Sequence, residues 1–137
     1  MQEYKNLFTF TLVIKNLLFV AVGGGLGASL RYLLSYLLNN SKSSFPYATF
    51  AVNILGCIGL GILAGYLMKS ENIANNPLYL LLGIGLLGGF TTFSSFSLDS
   101  IKLLQGGNTI HFLIYVIGTN VLGITLGYLG LKFAANL

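Results

Sequence analysis

The sequence has very little charge, one cysteine, two prolines and no tryptophan. Only 7% of its 137 residues are charged, against about 25% in a soluble domain. Hydrophobic residues make up 55% of the chain, and so few charges cannot keep a globular surface wet. The chain therefore reads as an integral membrane protein. Its formal net charge of +4 is spread thinly, with no basic run to follow a phosphate backbone, which excludes nucleic acid as a partner. A lone cysteine, Cys57, offers neither a disulfide framework nor a metal-binding spacing. Without tryptophan, an interfacial aromatic belt falls to tyrosine and phenylalanine.

Acids are scarcer still. Glu3 and Glu71 lie outside the hydrophobic runs, and Asp99 falls toward the end of the third. A small proton-coupled multidrug exporter needs an acid deep in the membrane to trade protons for a cation, and none is present. The sequence also lacks a Ser/His/Asp arrangement, a metal cluster and a catalytic carboxylate pair, so it is not expected to be an enzyme. Near the N-terminus, Leu7 to Ile14 is a short apolar stretch flanked by Glu3 and Lys5, with no small-residue cleavage site after it. This segment is expected to stay on the chain as an interfacial lead-in to the first helix.

What is present is a set of long apolar runs. A membrane-crossing helix needs about 20 apolar residues. Four such helices fit, at about 17–38, 47–68, 78–104 and 110–133, forming a single four-helix transmembrane domain over 1–137. The loop Asn39 to Ser44 precedes Pro46, the polar loop Lys69 to Asn76 precedes Pro77, and Gln105-Gly106-Gly107-Asn108 forms a turn. Proline suits a first helical turn because its missing N–H would be unpaired there. Each helix carries glycines four apart, Gly23/Gly27, Gly61/Gly65, Gly85/Gly89 and Gly123/Gly127. Such pairs share a face and let a neighbouring backbone approach. Gly23-Gly24-Gly25-Leu26-Gly27-Ala28 also satisfies a loose dinucleotide pattern, but no strand precedes it and no acid follows at the ribose position. Asn39-Asn40-Ser41 is a glycosylation sequon short enough to arise by chance.

Four crossings put both termini on one side, with Lys5, Lys15, Lys69 and Lys132, and leave Lys42 and Lys102 on the other. Four lysines against two is a weak positive-inside bias, so the chain could insert both ways. Four helices leave little room for an enclosed pathway, which points to a dimer, either an antiparallel homodimer or a pair with an inverted paralogue.

Polar groups inside the membrane are functional candidates by default. Arg31 lies seven residues before Leu38, about 10 Å from that end of its helix. It is either a snorkelling anchor or a fixed charge that draws anions to a pore mouth. Asn53 and Asn120 can each bridge helices or donate amide hydrogens to an anion. Thr119 and Thr125 fit bonds back to their own helix, Tyr115 can offer a phenol or pack, and His111 sits at the membrane edge.

One stretch breaks the pattern. Gly88-Gly89-Phe90-Thr91-Thr92-Phe93-Ser94-Ser95-Phe96-Ser97 places paired glycines, five hydroxyls and three phenylalanines where a helix should cross the bilayer. Glycines weaken a helix, and hydroxyls compete for the backbone bonds they free. The third helix is expected to be broken in mid-membrane. Phe93 and Phe96 share a face, and their positive ring edges can face a small anion. Freed carbonyls near Gly88 and Thr91 suit a cation.

These residues carry a resemblance. Gly23-Gly24-Gly25-Leu26-Gly27-Ala28-Ser29-Leu30-Arg31-Tyr32, Val52-Asn53-Ile54-Leu55-Gly56 and the Gly88 to Ser97 stretch together resemble the small fluoride channels of the Fluc (CrcB) family. The resemblance implies a passive fluoride-selective channel in the plasma (inner) membrane of a microbe, built as an antiparallel dual-topology dimer with two pores. It implies Phe93 and Phe96 as the pore phenylalanines, Asn53 as the pore amide and Arg31 as the vestibule arginine. Gly88 and Thr91 would hold a central structural Na+ through their carbonyls. Thr92 and Ser95 would belong to the pore wall, with Tyr115 and Thr119 on the fourth helix and Gly123 where some members carry a hydroxyl. Two rivals stay open: a small multidrug-type transporter, and a membrane assembly subunit that transports nothing.

Overall fold

Proline and asparagine decide where the helices begin. In the computed structural model the chain is described at residues 2–38, 43–70 and 72–137, with side chains from Thr9 onward. The sequon at Asn39, Lys42 and Glu71, together with the Glu3 and Lys5 side chains, lie outside the described residues. Helices α1 (Gln2–Leu38) and α2 (Tyr47–Leu67) come first. Helix α1 runs 37 residues, about 55 Å, so the expected lead-in and the first crossing are one continuous helix rather than two segments. Pro46 occupies the N-cap of α2, and its carbonyl accepts from the Phe50 N–H at 3.1 Å.

A 3-10 turn at Ile73–Asn75 follows, capped by the Asn72 side chain. Asn76 then starts the third apolar run: its side-chain oxygen accepts from the Leu78 N–H at 2.9 Å and its carbonyl from Leu80 at 3.0 Å. Pro77 sits just inside that cap, where its missing N–H costs nothing. The run is π-helical over Tyr79–Leu87 and α-helical over Gly88–Phe90, the short α3. Thr91 and Thr92 are extended, and α4 (Phe93–Gln105) begins after them. Gly107 carries φ +73°, a left-handed conformation that favours glycine. Around it Asn108 N–H bonds to Leu103 O at 2.9 Å and Gly107 N–H to Leu104 O at 3.0 Å, closing α4 before α5 (Thr109–Ala135).

The glycine pairs set the packing. A Cβ on Gly27 would strike the Leu86 carbonyl, and one on Gly23 the Leu81 carbonyl, so α1 lies directly against the π-helical segment. A Cβ on Gly61 would strike the Gly127 carbonyl and one on Gly65 the Leu131 carbonyl, which brings α2 onto α5. Gly85 and Gly89 meet Gly23 and Gly24, and Gly127 faces the Cys57 carbonyl. Backbone thus rests on backbone in both helix pairs, the arrangement small residues permit where no hydrophobic effect drives helices together.

These contacts bury little side chain. The chain exposes 9197 Å², whereas a soluble monomer of its mass would expose about 6,900 Å². Four helical stretches are long and apolar enough to cross a membrane, and their windows are only 11% to 28% buried. Large apolar side chains such as Leu26, Leu55, Ile84, Ile117 and Ile124 project outward along the described helices. Such a surface matches a bilayer rather than water. The protein is a multi-pass, all-helical membrane protein; among the described residues there is no strand.

Candidate functional site

The interruption at Thr91 and Thr92 is held from α2. Asn53 Nδ2 donates to the Thr92 carbonyl at 3.1 Å, and the Thr92 N–H donates to Asn53 Oδ1 at 2.9 Å. An uninterrupted helix would send that N–H to the Gly88 carbonyl; here a side-chain amide takes it. The last helical bond before the interruption runs from Thr91 N–H to Leu87 O at 3.0 Å. The Thr91 hydroxyl donates to the same carbonyl at 2.9 Å. Thr92, only 9% exposed, then caps α4: its hydroxyl accepts from the Ser95 N–H at 3.2 Å and donates to Ser95 Oγ at 3.1 Å. Ser94 Oγ completes the cluster, 3.2 Å from Thr92 Oγ1. The hydroxyl-rich composition of the stretch thus serves two ends. Some groups satisfy the backbone that the interruption frees, and the same groups cap the helix that follows.

Two cavities flank this cluster. The larger, about 330 Å³, is lined on its polar side by Asn53, Thr91, Thr92, Thr119 and Asn120 and contains the rings of Phe93 and Phe96. Gly88, Cys57 and Gly123 also line it. No carboxylate is among its lining residues. The smaller, about 260 Å³, is lined by Arg31, Thr49, Thr92 and Ser95 among others. Arg31 is half-buried, and its Nε is a buried donor without a hydrogen-bond partner. Thr92 lines both cavities and so forms the wall between them.

The rings form a continuous ladder away from the interruption. Phe93 and Phe96 have centroids 5.9 Å apart, Phe96 and Tyr115 5.1 Å, and Tyr115 and Phe45 5.6 Å at an interplanar angle of 85°. Phe45 in turn meets His111 at 6.2 Å. Phe93 is 80% exposed in the single chain, and Gly88 is exposed as well.

The sequence candidates therefore divide. Asn53, Gly88, Thr91, Thr92, Phe93, Phe96 and Thr119 come together around the larger cavity. Arg31, Ser95 and again Thr92 come together around the smaller. Tyr115 lines neither: it is fully buried, packed among Phe45, Phe50 and Phe96, with its hydroxyl unpartnered. Thr119 reaches the larger cavity, but its hydroxyl donates back to the Tyr115 carbonyl at 2.6 Å.

Three features escaped the sequence reading. Thr49 donates to Asp99 Oδ2 at 2.7 Å, a pairing fifty residues apart that no local spacing announces. Phe45, between the loop and Pro46 and given no part by the sequence, joins the aromatic ladder. The third is the role of Asn53 in clasping a backbone rather than another side chain. Only the interruption itself, four residues after the paired glycines begin, hints at a need for such a clasp.

Among known proteins, the "Fluoride-specific ion channel FluC" of Phocaeicola vulgatus is 48% identical over 119 residues, 86% of this chain and 97% of its own. The protein of the same description in Aquifex aeolicus is 46% identical over 113 residues, 81% of this chain and 90% of its own. That of Flavobacterium psychrophilum is 41% identical over 125 residues, 90% of this chain and the whole of its own. Residues 18–131 match the family described as "CrcB-like protein, Camphor Resistance (CrcB)", a span that takes in both cavities, the clasp and every helix pair, and the chain belongs to that family.

Proposed function

We propose that this protein is a fluoride-selective ion channel that lets fluoride leave the cytoplasm passively, and that it is not an enzyme. The observation that carries the reading is the larger cavity. It joins two amides, hydroxyl-bearing side chains and two phenylalanines in a membrane protein, with no carboxylate in its lining. Fluoride is small and holds its water tightly, so a pore must replace that water with donors. Positive ring edges and N–H groups do this without a competing negative charge. Hydrofluoric acid enters a cell neutral and ionises inside, so a passive exit for the anion lowers its cytoplasmic level. The descriptions of the three relatives agree with this function.

The functional unit in this reading is an antiparallel, dual-topology homodimer in the plasma membrane of a microbe. Its support is the exposure of Phe93 and Gly88 in the single chain and the large apolar surface beside them. With the interruption at mid-membrane, two copies related by a two-fold axis would bring their Gly88 and Thr91 carbonyls together. Both residues line the larger cavity, and the Gly88 carbonyl has lost the Thr92 N–H to Asn53. Carbonyl oxygens of this kind fit a hard monovalent cation, Na+ in this reading, which would hold the two copies together. Phe93, Phe96, Asn53, Thr92 and Thr119 form the fluoride path, and Arg31 with Ser95 its vestibule.

The test is fluoride efflux from liposomes that carry the purified protein, measured beside chloride. The expected result is rapid fluoride release with chloride retained. Equal release of both, or no fluoride release, would defeat the reading. Proton flux stimulated by a lipophilic cation would revive the multidrug alternative.

A further inference from the structure

The larger cavity has fewer free donors than its composition suggests. The Thr91 hydroxyl proton is committed to the Leu87 carbonyl and that of Thr119 to the Tyr115 carbonyl. Thr92 Oγ1 is engaged with Ser94 and Ser95. Asn53 has given one amide hydrogen to the Thr92 carbonyl. Gly123 contributes no side chain, and a Cβ there would lie 3.2 Å from Cys57 Sγ. The thiol of Cys57 is only a weak donor.

A primary amide carries two donor hydrogens. Asn120 lines the same cavity from α5 and spends one of them on the Val116 carbonyl, at 2.7 Å. Its second N–H is uncommitted. Two strong side-chain donors thus remain for an anion, the second N–H of Asn53 on α2 and the second N–H of Asn120 on α5. They stand on different helices of one cavity. An exposed amide midway along an apolar helix is costly against lipid alone, which gives Asn120 a reason to face something that accepts a hydrogen bond.

We infer that Asn120 is an anion-contacting residue of the pore, donating its free amide N–H to fluoride on the α5 wall where Gly123 offers no hydroxyl. The inference rests on the fluoride-channel reading above. It leaves Thr119 a wall residue whose hydroxyl proton is held by the Tyr115 carbonyl, while the Asn120 amide supplies the donor. Committing one hydrogen to Val116 fixes the amide plane, so the second hydrogen keeps its direction as an ion passes.

The experiment compares fluoride efflux from liposomes carrying the wild-type chain, Asn120→Leu and Asn120→Asp, with the assembled state of each checked by size-exclusion chromatography. Leucine keeps the branching at Cγ and removes both donors; aspartate keeps the shape but, ionised, only accepts. Both assembled variants are expected to lose about tenfold or more in fluoride rate, the loss that follows from removing one hydrogen bond to a charged group. Asn120→Leu should also need a higher fluoride concentration for half-maximal flux. Wild-type rates in either assembled variant would overturn the inference. Failure of both variants to assemble would also overturn it, by showing Asn120 to be a packing residue. A wild-type protein that passes no fluoride would defeat the channel reading itself, an outcome distinct from these.

Discussion

Asn53 and Thr92 are joined by two hydrogen bonds, Nδ2 to the Thr92 carbonyl at 3.1 Å and the Thr92 N–H to Oδ1 at 2.9 Å. The pair works as a short piece of β-ladder made from a side chain. It takes the Thr92 N–H that the interruption leaves without the Gly88 carbonyl, and adds a donor to the Thr92 carbonyl, which as N-cap also opens α4. A buried backbone group left without a partner costs about 1–3 kcal/mol. Asn53→Leu strands the Thr92 N–H and should destabilise the folded protein by about 1–3 kcal/mol on that scale. Asn53→Asp keeps the acceptor for the Thr92 N–H but sets a carboxylate against the Thr92 carbonyl. Thermal unfolding in detergent should rank the wild type above both variants, with fluoride efflux reduced in each. Equal melting of wild type and Asn53→Leu would show that the interruption needs no clasp.

The glycines give a sharper contrast. A Cβ on Gly61 would collide with the Gly127 carbonyl, whereas a Cβ on Gly25 meets nothing within 4 Å. Gly61→Ala should push α2 away from α5 and cost about 1–3 kcal/mol through overpacking. Gly25→Ala should be neutral in the chain itself and slightly favourable through helix propensity. Unfolding of the two variants side by side checks this. A stable Gly61→Ala beside an unstable Gly25→Ala would mean that the helix pairs are assigned wrongly.

Phe93 and Phe96 should separate by their burial. Phe96 is half-buried and touches Phe93 and Tyr115, while Phe93 is 80% exposed in the single chain. Phe96→Ala loses two ring contacts, worth about 1 kcal/mol each, and Phe93→Ala loses one. Both substitutions should nevertheless cut fluoride efflux strongly, because each removes a ring from the cavity. Fluoride efflux at the wild-type rate in both variants would remove the rings from the proposed path.

How much of this was legible in the sequence follows from the range of each interaction. Helix starts at Pro46 and Pro77, the turn at Gly107 and the packing of glycines four apart depend on neighbours within a few residues, and they read directly from the chain. Continuity of α1 from Gln2 did not: Lys15 and Asn16 look like a boundary, yet neither breaks a helix. Asn53 and Thr119 were legible as candidates because each stands out against an apolar background, and Phe96 because it lies in the hydroxyl-rich stretch three residues from Phe93. Where their hydrogen bonds go was not. Thr119 has a carbonyl four residues back within reach, and Asn53 has the backbone of Thr92, thirty-nine residues away, so only the fold decides between these and an ion. Tyr115 illustrates the limit: its spacing suits a pore wall, but Phe45 and Phe96 cover it.

Gly88 tests the dimer. It is exposed, and a Cβ there would meet only the Gly83 carbonyl at 3.7 Å, so cysteine fits. In a Cys57→Ser background, Gly88→Cys should cross-link chain to chain under mild oxidation, and a C-terminal tag should be reached from both sides of the membrane. Replacing Na+ by a large organic cation should lower both cross-linking and fluoride flux. Cross-linking with tags on one side alone would keep the dimer and reject the inverted arrangement.

The most direct measurement is electrical. The purified protein is placed in a planar bilayer with a fluoride gradient, chloride equal on both sides, and the zero-current potential is recorded. A passive fluoride-selective channel should reverse at the equilibrium potential for fluoride and hold that value when a pH gradient is added. A zero-current potential that follows chloride, or that moves with the pH gradient, would contradict the account.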